Sequence, residues 1–240
     1  MSTESKLFIH IPKSAGMTIR RSPMLNNQII IAGSNIHKSP EYSQAVLDKM
    51  NSLGDHHGFE HARWRDVHPS VRDKNNAFAV VRNPWDRVVS RYFYARLIIQ
   101  AEKRLEQEVP GKIIVGNYAD VSSFEAFIEE RHKWGNEEYM WHKAIRGWFP
   151  AFDHVSDDAG IVRCDIIRFE NLNADLCKYF NLTKMSKARN VTATNYAGVR
   201  PYKDVYTDKT IQIIADWYKK DIEYWGYDFD SGPTRNYHYK

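Results

Sequence analysis

A chain of 240 residues, 42% hydrophobic and 27% charged, is long enough to bury a large core and has the ordinary composition of a globular domain. Its 34 Lys and Arg against 30 Asp and Glu leave a formal charge of +4, which suits an anionic ligand but is too mild and too evenly mixed for a nucleic-acid coat. Cys164 and Cys177 make neither a disulfide framework nor a metal-ligand spacing, and no apolar run approaches the roughly 20 residues that cross a bilayer. With a polar amino terminus unlike a secretory leader, the expectations are no nucleic-acid partner, no membrane insertion and a cytoplasmic location.

In chain order, LFIHI (residues 7–11) reads as a buried strand that Pro12 ends. A short helix opens near Thr18, and Pro23 limits it. Val46, Leu47, Met50 and Leu53 give residues 40–53 a helical apolar stripe, followed by the His-rich loop GDHHGFEHARWRDVHP. NAFAVVRNPWDRVVSRYFY is a second strand-turn-helix unit. Residues 78–81 form its strand, and Val88, Val89, Tyr92 and Phe93 supply the apolar face of a helix that runs on through AEKRLEQE.

Ser122 and Glu125 have the spacing of a capping box for a helix carrying Phe124, Phe127 and Ile128. Trp134, Trp141, Trp148 and Phe149 mark an aromatic-rich section near 111–150, read as a helical insertion that is either core or an acceptor wall. A further strand lies in IVRCDIIRFENL, and the helix after it carries Leu172, Leu176, Tyr179 and Phe180. Beyond a polar loop, Ile211, Ile214, Ala215, Tyr218, Ile222 and Trp225 predict one long helix, and residues 231–240 read as a polar tail. Strands alternating with helices predict a single α/β domain with a central parallel sheet covered on both faces.

The first strand-turn-helix unit looks built for an anion, but it lacks the Gly-Lys-Ser/Thr ending of a nucleotide-binding loop, because Lys13 precedes Gly16. Residues 14–18 can still present amide hydrogens at a helix start. Lys13 adds a charge, Thr18 a hydroxyl, and Gly16 permits close approach or an unusual backbone angle. Arg82 ends the second strand, where open α/β sheets bind ligands, and Ser90 follows two helical turns later. An arginine fork and a hydroxyl suit a phosphate, although Asp86 offers Arg82 a purely structural ion pair.

IPKSAGMTI and VRNPWDRVVSRY, together with DDAGIVRCDIIRFENL and RPYKDVYTDKTIQIIADWYKKDIEYWGYDF, resemble the sulfotransferases that use 3'-phosphoadenosine 5'-phosphosulfate (PAPS), particularly their carbohydrate O-sulfotransferase branch. The resemblance spans nearly the whole chain and is weak over 111–150. It implies a P-loop-like three-layer fold. It also implies transfer of a sulfuryl group from PAPS to a hydroxyl, with 3'-phosphoadenosine 5'-phosphate (PAP) as product, no metal, and a saccharide or glycan as acceptor. The family's leaving-group lysine maps to Lys13, and the loop that holds the donor's 5' end maps to Ser14, Ala15, Gly16, Met17 and Thr18. The 3'-phosphate ligands map to Arg82 and Ser90. The loop departs from the usual pattern at Ser14, Ala15 and Met17, where threonine, glycine and threonine are commoner.

Transfer to an alcohol needs a base near the acceptor, and histidine suits neutral pH. The candidates are His56, His57, His61 and His68, and FEHARWRDV resembles the family's catalytic segment, which carries the role to His61 with His57 as runner-up. Adjacent His56 and His57 do not easily point into one metal site, and no acidic or cysteine ligands accompany them. Asn190 and the turn with Arg200, Tyr202 and Lys203 suit a loop covering the adenosine or its phosphates, with Tyr202 stacking on the base. Arg163, Arg168 and Glu170 either orient a ligand or form an ion-pair network. The rival functions are a nucleotide-dependent kinase, which requires the full Gly-Lys-Ser/Thr loop, and a non-catalytic nucleotide- or glycan-binding protein.

Overall fold

A computed structural model describes residues 5–32, 37–52, 59–108, 119–131, 148–185 and 202–239. At its centre β1 (Lys6–Ile9), β2 (Ile29–Ile31), β3 (Ala77–Val81) and β4 (Cys164–Arg168) form one parallel sheet in the order β2-β1-β3-β4. The register pairs Phe8 with Ile31 on one side and with Phe78 on the other, and Phe78 pairs with Asp165. All five residues of β3 are buried, as a strand covered on both faces requires.

Alternation along the strands builds two cores. Leu7, Ile9, Ala79, Val81 and Ile166 face one cluster, and Phe8, Phe78, Val80 and Ile167 face another. The first cluster is filled from α4 (Pro84–Glu108) by Val88 and Tyr92, and from α8 (Asp208–Trp217) by Ile214. The second is filled by Ile19 of α1 (Gly16–Arg20), and by Leu176 of α7 (Leu172–Tyr179). α2 (Pro40–Ser52), α3 (Pro69–Arg72), α5 (Phe124–Glu129), α6 (Ala151–Val155) and α9 (Lys219–Trp225) complete the described helices.

The strand order decides where a ligand site forms. From β1 the chain moves outward to β2 on one side, then crosses to the other side of β1 to lay down β3. The connections leaving β1 and β3 therefore diverge, which opens a crevice at their carboxyl ends. Lys13 follows β1 and Arg82 follows β3, so both predicted anion ligands sit at that switch point.

Several local expectations shift. β2 had no counterpart in the predicted elements, although its Ile29-Ile30-Ile31 run is a strand signal. The cap of α5 is Ser123, whose hydroxyl accepts from the Ala126 amide at 3.0 Å, while the Ser122 hydroxyl donates to Asp120. The single long helix is two, because Tyr218 leaves helical geometry at φ −104° and ψ 26° between α8 and α9. Trp148 is core, whereas Trp134 and Trp141 lie outside the described residues. Residues 231–239, read as a tail, pack on the domain: Thr234 and Arg235 donate their amides to the Trp225 carbonyl of α9, and then the His238 carbonyl accepts from Ile166 of β4, Tyr237 covers the Arg168 guanidinium at 4.4 Å, and Tyr239 packs on Tyr179.

Candidate functional site

β1 ends early, at Ile9, and Ile11 donates its amide back to the Ile9 carbonyl at 3.2 Å, so His10 turns out of the sheet. The loop that follows holds two non-glycine residues in left-handed backbone, Lys13 at φ 66° and Ala15 at φ 60°. Such alternation gathers amide hydrogens on one side of a loop. α1 then starts without a side-chain cap, and the Ser14 hydroxyl is buried with no hydrogen-bond partner among the described residues. A buried orphan hydroxyl beside uncapped amides fits the anionic end of a phosphosulfate donor.

Gly16 is required by contact rather than by backbone angle. A Cβ placed on it would lie 1.6 Å from Nε2 of His10. Gly16→Ala is therefore expected to displace the His10 ring and lower the melting temperature by about 3–10 °C, an overpacking cost of about 1–3 kcal/mol, checked by calorimetry. Ala15 shows the opposite case, a methyl group held where glycine is at ease. Ala15→Gly is expected to raise stability by about 0.5–1 kcal/mol in urea unfolding, because left-handed backbone strain outweighs the added freedom of the unfolded chain.

The Lys13 ammonium lies 3.9 Å from the centre of the Tyr94 ring. Burial, reinforced by the charges of Arg82 and Arg91, pushes its pKa down to about 7. Its carbonyl accepts from Nη1 of Arg82 at 2.9 Å, which ties the two strand ends together. Arg82 also grips Asp86 with Nε and Nη2, at 2.7 and 2.8 Å, and stacks on Phe169 at 3.9 Å. The ion pair anticipated as an alternative therefore exists. It still leaves one hydrogen on each terminal nitrogen of the five-donor guanidinium.

α4 begins where the Asn83 side chain accepts from the amides of Trp85 and Asp86 at 3.0 and 3.4 Å. Its inward face carries Arg87, Ser90 and Arg91, all buried. Arg87 reaches back to the carbonyl of Pro12, the residue before Lys13, at 3.2 Å, so α4 anchors the start of the loop.

His61 closes a 3-10 turn (Phe59–His61) against the same loop. Its Nδ1 lies 2.9 Å from the His10 carbonyl, and its ring sits 4.2 Å from the His10 ring. A carbonyl only accepts, so Nδ1 carries the proton and Nε2 of the neutral ring holds a free lone pair. Burial pushes the His61 pKa down to about 4, against the opposing pull of Glu60 and the His10 carbonyl. The imidazole is thus neutral at pH 7. Glu60 is itself paired with Arg20 at 3.3 Å.

The remaining predicted ligands are engaged elsewhere. The Tyr202 hydroxyl donates to the Phe229 carbonyl and the Lys203 ammonium pairs with Asp230. Arg163 is paired with Asp157, Arg168 forks onto Asp175, and Glu170 accepts the Asn83 amide at 2.7 Å. His56, His57, Asn190 and Arg200 lie outside the described residues. A cleft lined by Trp64, Arg72, Asn76 and Arg163 opens at the opposite ends of β3 and β4, away from this loop.

Four buried residues around the loop have no place among the ligands expected from the sequence: His10, Arg87, Arg91 and His154. The i, i+4 spacing of Arg87 and Arg91, flanking Ser90 in VRNPWDRVVSRY, was the available signal, since it puts both arginines on one helix face. No curated protein and no solved structure matches the chain. A family model described as Sulfotransferase family matches residues 2–228. That span takes in the sheet, the lysine loop, the histidine turn and the arginine helix, and leaves out little beyond the segment lying on β4: the chain belongs to the sulfotransferase family.

Proposed function

We propose that this protein transfers a sulfuryl group from PAPS to a hydroxyl of a saccharide acceptor, on a P-loop-like three-layer scaffold. The observation that carries this is the meeting, at the β1/β3 switch point, of an uncapped lysine loop with a histidine whose Nε2 lone pair is free. When bound, the donor supplies an activated sulfuryl group on a phosphate leaving group.

In this scheme Ser14, the amides of residues 15–17 and the Thr18 hydroxyl hold the donor's 5' end, the Thr18 amide being spent on the Ala15 carbonyl at 2.9 Å. The two unused hydrogens of Arg82, with the Ser90 hydroxyl, hold the 3'-phosphate. Tyr202, Lys203 and Arg200 belong to the covering turn. Tyr202 and Lys203 must exchange their present partners, Phe229 and Asp230, to reach the nucleotide. His61 Nε2 takes the proton of the acceptor hydroxyl, with Nδ1 anchored on the His10 carbonyl so that the lone pair stays aimed. Lys13 Nζ holds positive charge at the oxygen that departs with the phosphate. The acceptor oxygen bonds to sulfur as the sulfur-to-phosphate oxygen bond breaks, and the electron pair of that bond leaves with the phosphate.

The test is ligand-induced thermal stabilisation, followed by transfer of labelled sulfate to a panel of saccharides and simple alcohols. PAP is expected to raise the melting temperature with saturation at micromolar concentration, and ATP with magnesium to raise it less. Preferential protection by ATP would overturn the assignment of the donor. Transfer to simple alcohols but to no saccharide would overturn that of the acceptor.

A further inference from the structure

Arg87 and Arg91 lie one helical turn apart on α4 and are both fully buried, yet their surroundings differ in kind. Arg87 donates to the carbonyls of Pro12 and Phe149 at 3.2 and 3.0 Å, and its Nη1 lies 3.8 Å from the buried carboxylate of Asp221. Asp221 in turn accepts the first amides of α6, from Ala151 and Phe152, both at 2.8 Å. That arginine is a structural bolt.

Arg91 has no carboxylate partner among the described residues. Its Nη1 donates to the Tyr218 hydroxyl at a long 3.4 Å, its guanidinium stands 5.4 Å from the Trp148 ring, and its Nε and Nη2 are buried with no hydrogen-bond partner among the described residues. Burial pushes its pKa down to about 10, so it stays protonated at neutral pH. A buried, unpaired cation is a costly thing to keep, and it implies that the missing counter-charge arrives with a ligand. Its place narrows the choice of ligand. It stands on the inward face of α4 one turn beyond Arg87, whose guanidinium holds the Pro12 carbonyl next to Lys13, and its charge helps lower the pKa values of both Lys13 and His61.

Building on the sulfotransfer reading above, we propose that Arg91 is a catalytic residue. Its free Nε–H and Nη2–H donate to the non-bridging oxygens of the sulfuryl group as it passes from donor to acceptor. The planar fork matches two oxygens of one sulfonate. The proton still goes from the acceptor hydroxyl to His61 Nε2, and the electron pair of the broken bond still leaves with the phosphate oxygen. Arg91 exchanges no proton; it holds charge that lies on the sulfuryl oxygens throughout and grows around them in the transition state.

Arg91→Met and Arg91→Lys test this through three measurements: melting temperature without ligand, affinity for PAP, and kcat at saturating PAPS and acceptor. Arg91→Met is expected to melt at or above the wild-type temperature, because it removes an unpaired buried charge. It is expected to bind PAP, which has no sulfuryl group, within about threefold of wild type while losing about 100-fold in kcat. Arg91→Lys, which keeps a charge without the fork, is expected to fall between.

A structural role predicts a different pattern. If Arg91→Met fails to fold or melts more than about 5 °C lower, with Arg91→Lys restoring stability and turnover together, the proposal is overturned. It is equally overturned if PAP affinity falls as far as kcat, which would put Arg91 on a phosphate, or if kcat is unchanged. A wild-type chain that binds PAP and transfers sulfate beside an Arg91→Met chain with the same turnover refutes this inference alone. A wild-type chain that does neither refutes the sulfotransfer reading and this inference with it.

Discussion

His61→Asn is expected to lower kcat by about 10²–10⁴-fold while leaving PAP affinity nearly unchanged. The substitution isolates the base from the anchor. An asparagine amide hydrogen can still donate toward the His10 carbonyl, as Nδ1 of His61 does at 2.9 Å, but nothing replaces the Nε2 lone pair. His61→Ala is expected to lose as much turnover and some stability besides, since it empties a buried position packed 4.2 Å from the His10 ring. Thermal shift with PAP separates binding from chemistry in each variant. Turnover of His61→Asn within tenfold of wild type would move the base to another residue. Two other histidines beside the loop are poor alternatives: His10 is buried with its Nδ1 unpartnered, and His154 is wholly buried with both ring nitrogens unpartnered, among the described residues. Burial holds both of those rings well below the usual histidine range.

What could be read in advance was local. The runs 7–11 and 78–81 are largely apolar, each is closed within three residues by a proline, Pro12 or Pro84, and each hands over to a helical period; neighbours in sequence carry all of that information. The positions of Lys13 and Arg82 just past strand ends are therefore legible in the sequence alone. Their convergence needed one more fact, the β2-β1-β3-β4 order, and the Ile29–Ile31 strand that defines the switch had been passed over. Gly16 was understood only halfway. The sequence offered two reasons for a glycine, and the His10 ring beneath it, at a separation no Cβ tolerates, selects close approach.

Features that depend on distant partners were invisible. Tyr218 interrupts the predicted long helix while fully buried against Arg91 and Arg87, both more than a hundred residues earlier in the chain. The polar end of the chain had no periodicity to betray that Tyr237 and Tyr239 pack along β4. An orphaned guanidinium is likewise a property of what surrounds it, and nothing in the letters of VSRY separates Arg91 from the paired Arg87.

Lys13→Met is expected to lower kcat by about 10²–10³-fold, the cost of removing one charge placed on a leaving group in a water-poor site. Its pH behaviour gives the sharper test. Burial, with Arg82 and Arg91 nearby, pushes the Lys13 pKa down to about 7, while burial pushes that of His61 down to about 4. Lysine loses its positive charge as pH rises, and histidine gains its proton as pH falls. The free protein is therefore competent between the two values, and kcat/KM is expected to fall below about pH 4 through His61 and above about pH 7 through Lys13. A bound anion favours the ammonium form, so the alkaline limb of kcat should lie at higher pH than that of kcat/KM. Lys13→Arg keeps a charge that does not titrate in this range. It should remove the alkaline limb even where its longer fork fits the loop poorly and turnover is low. An alkaline limb that stays in place in Lys13→Arg would assign it to another group and take from Lys13 its role at the departing oxygen.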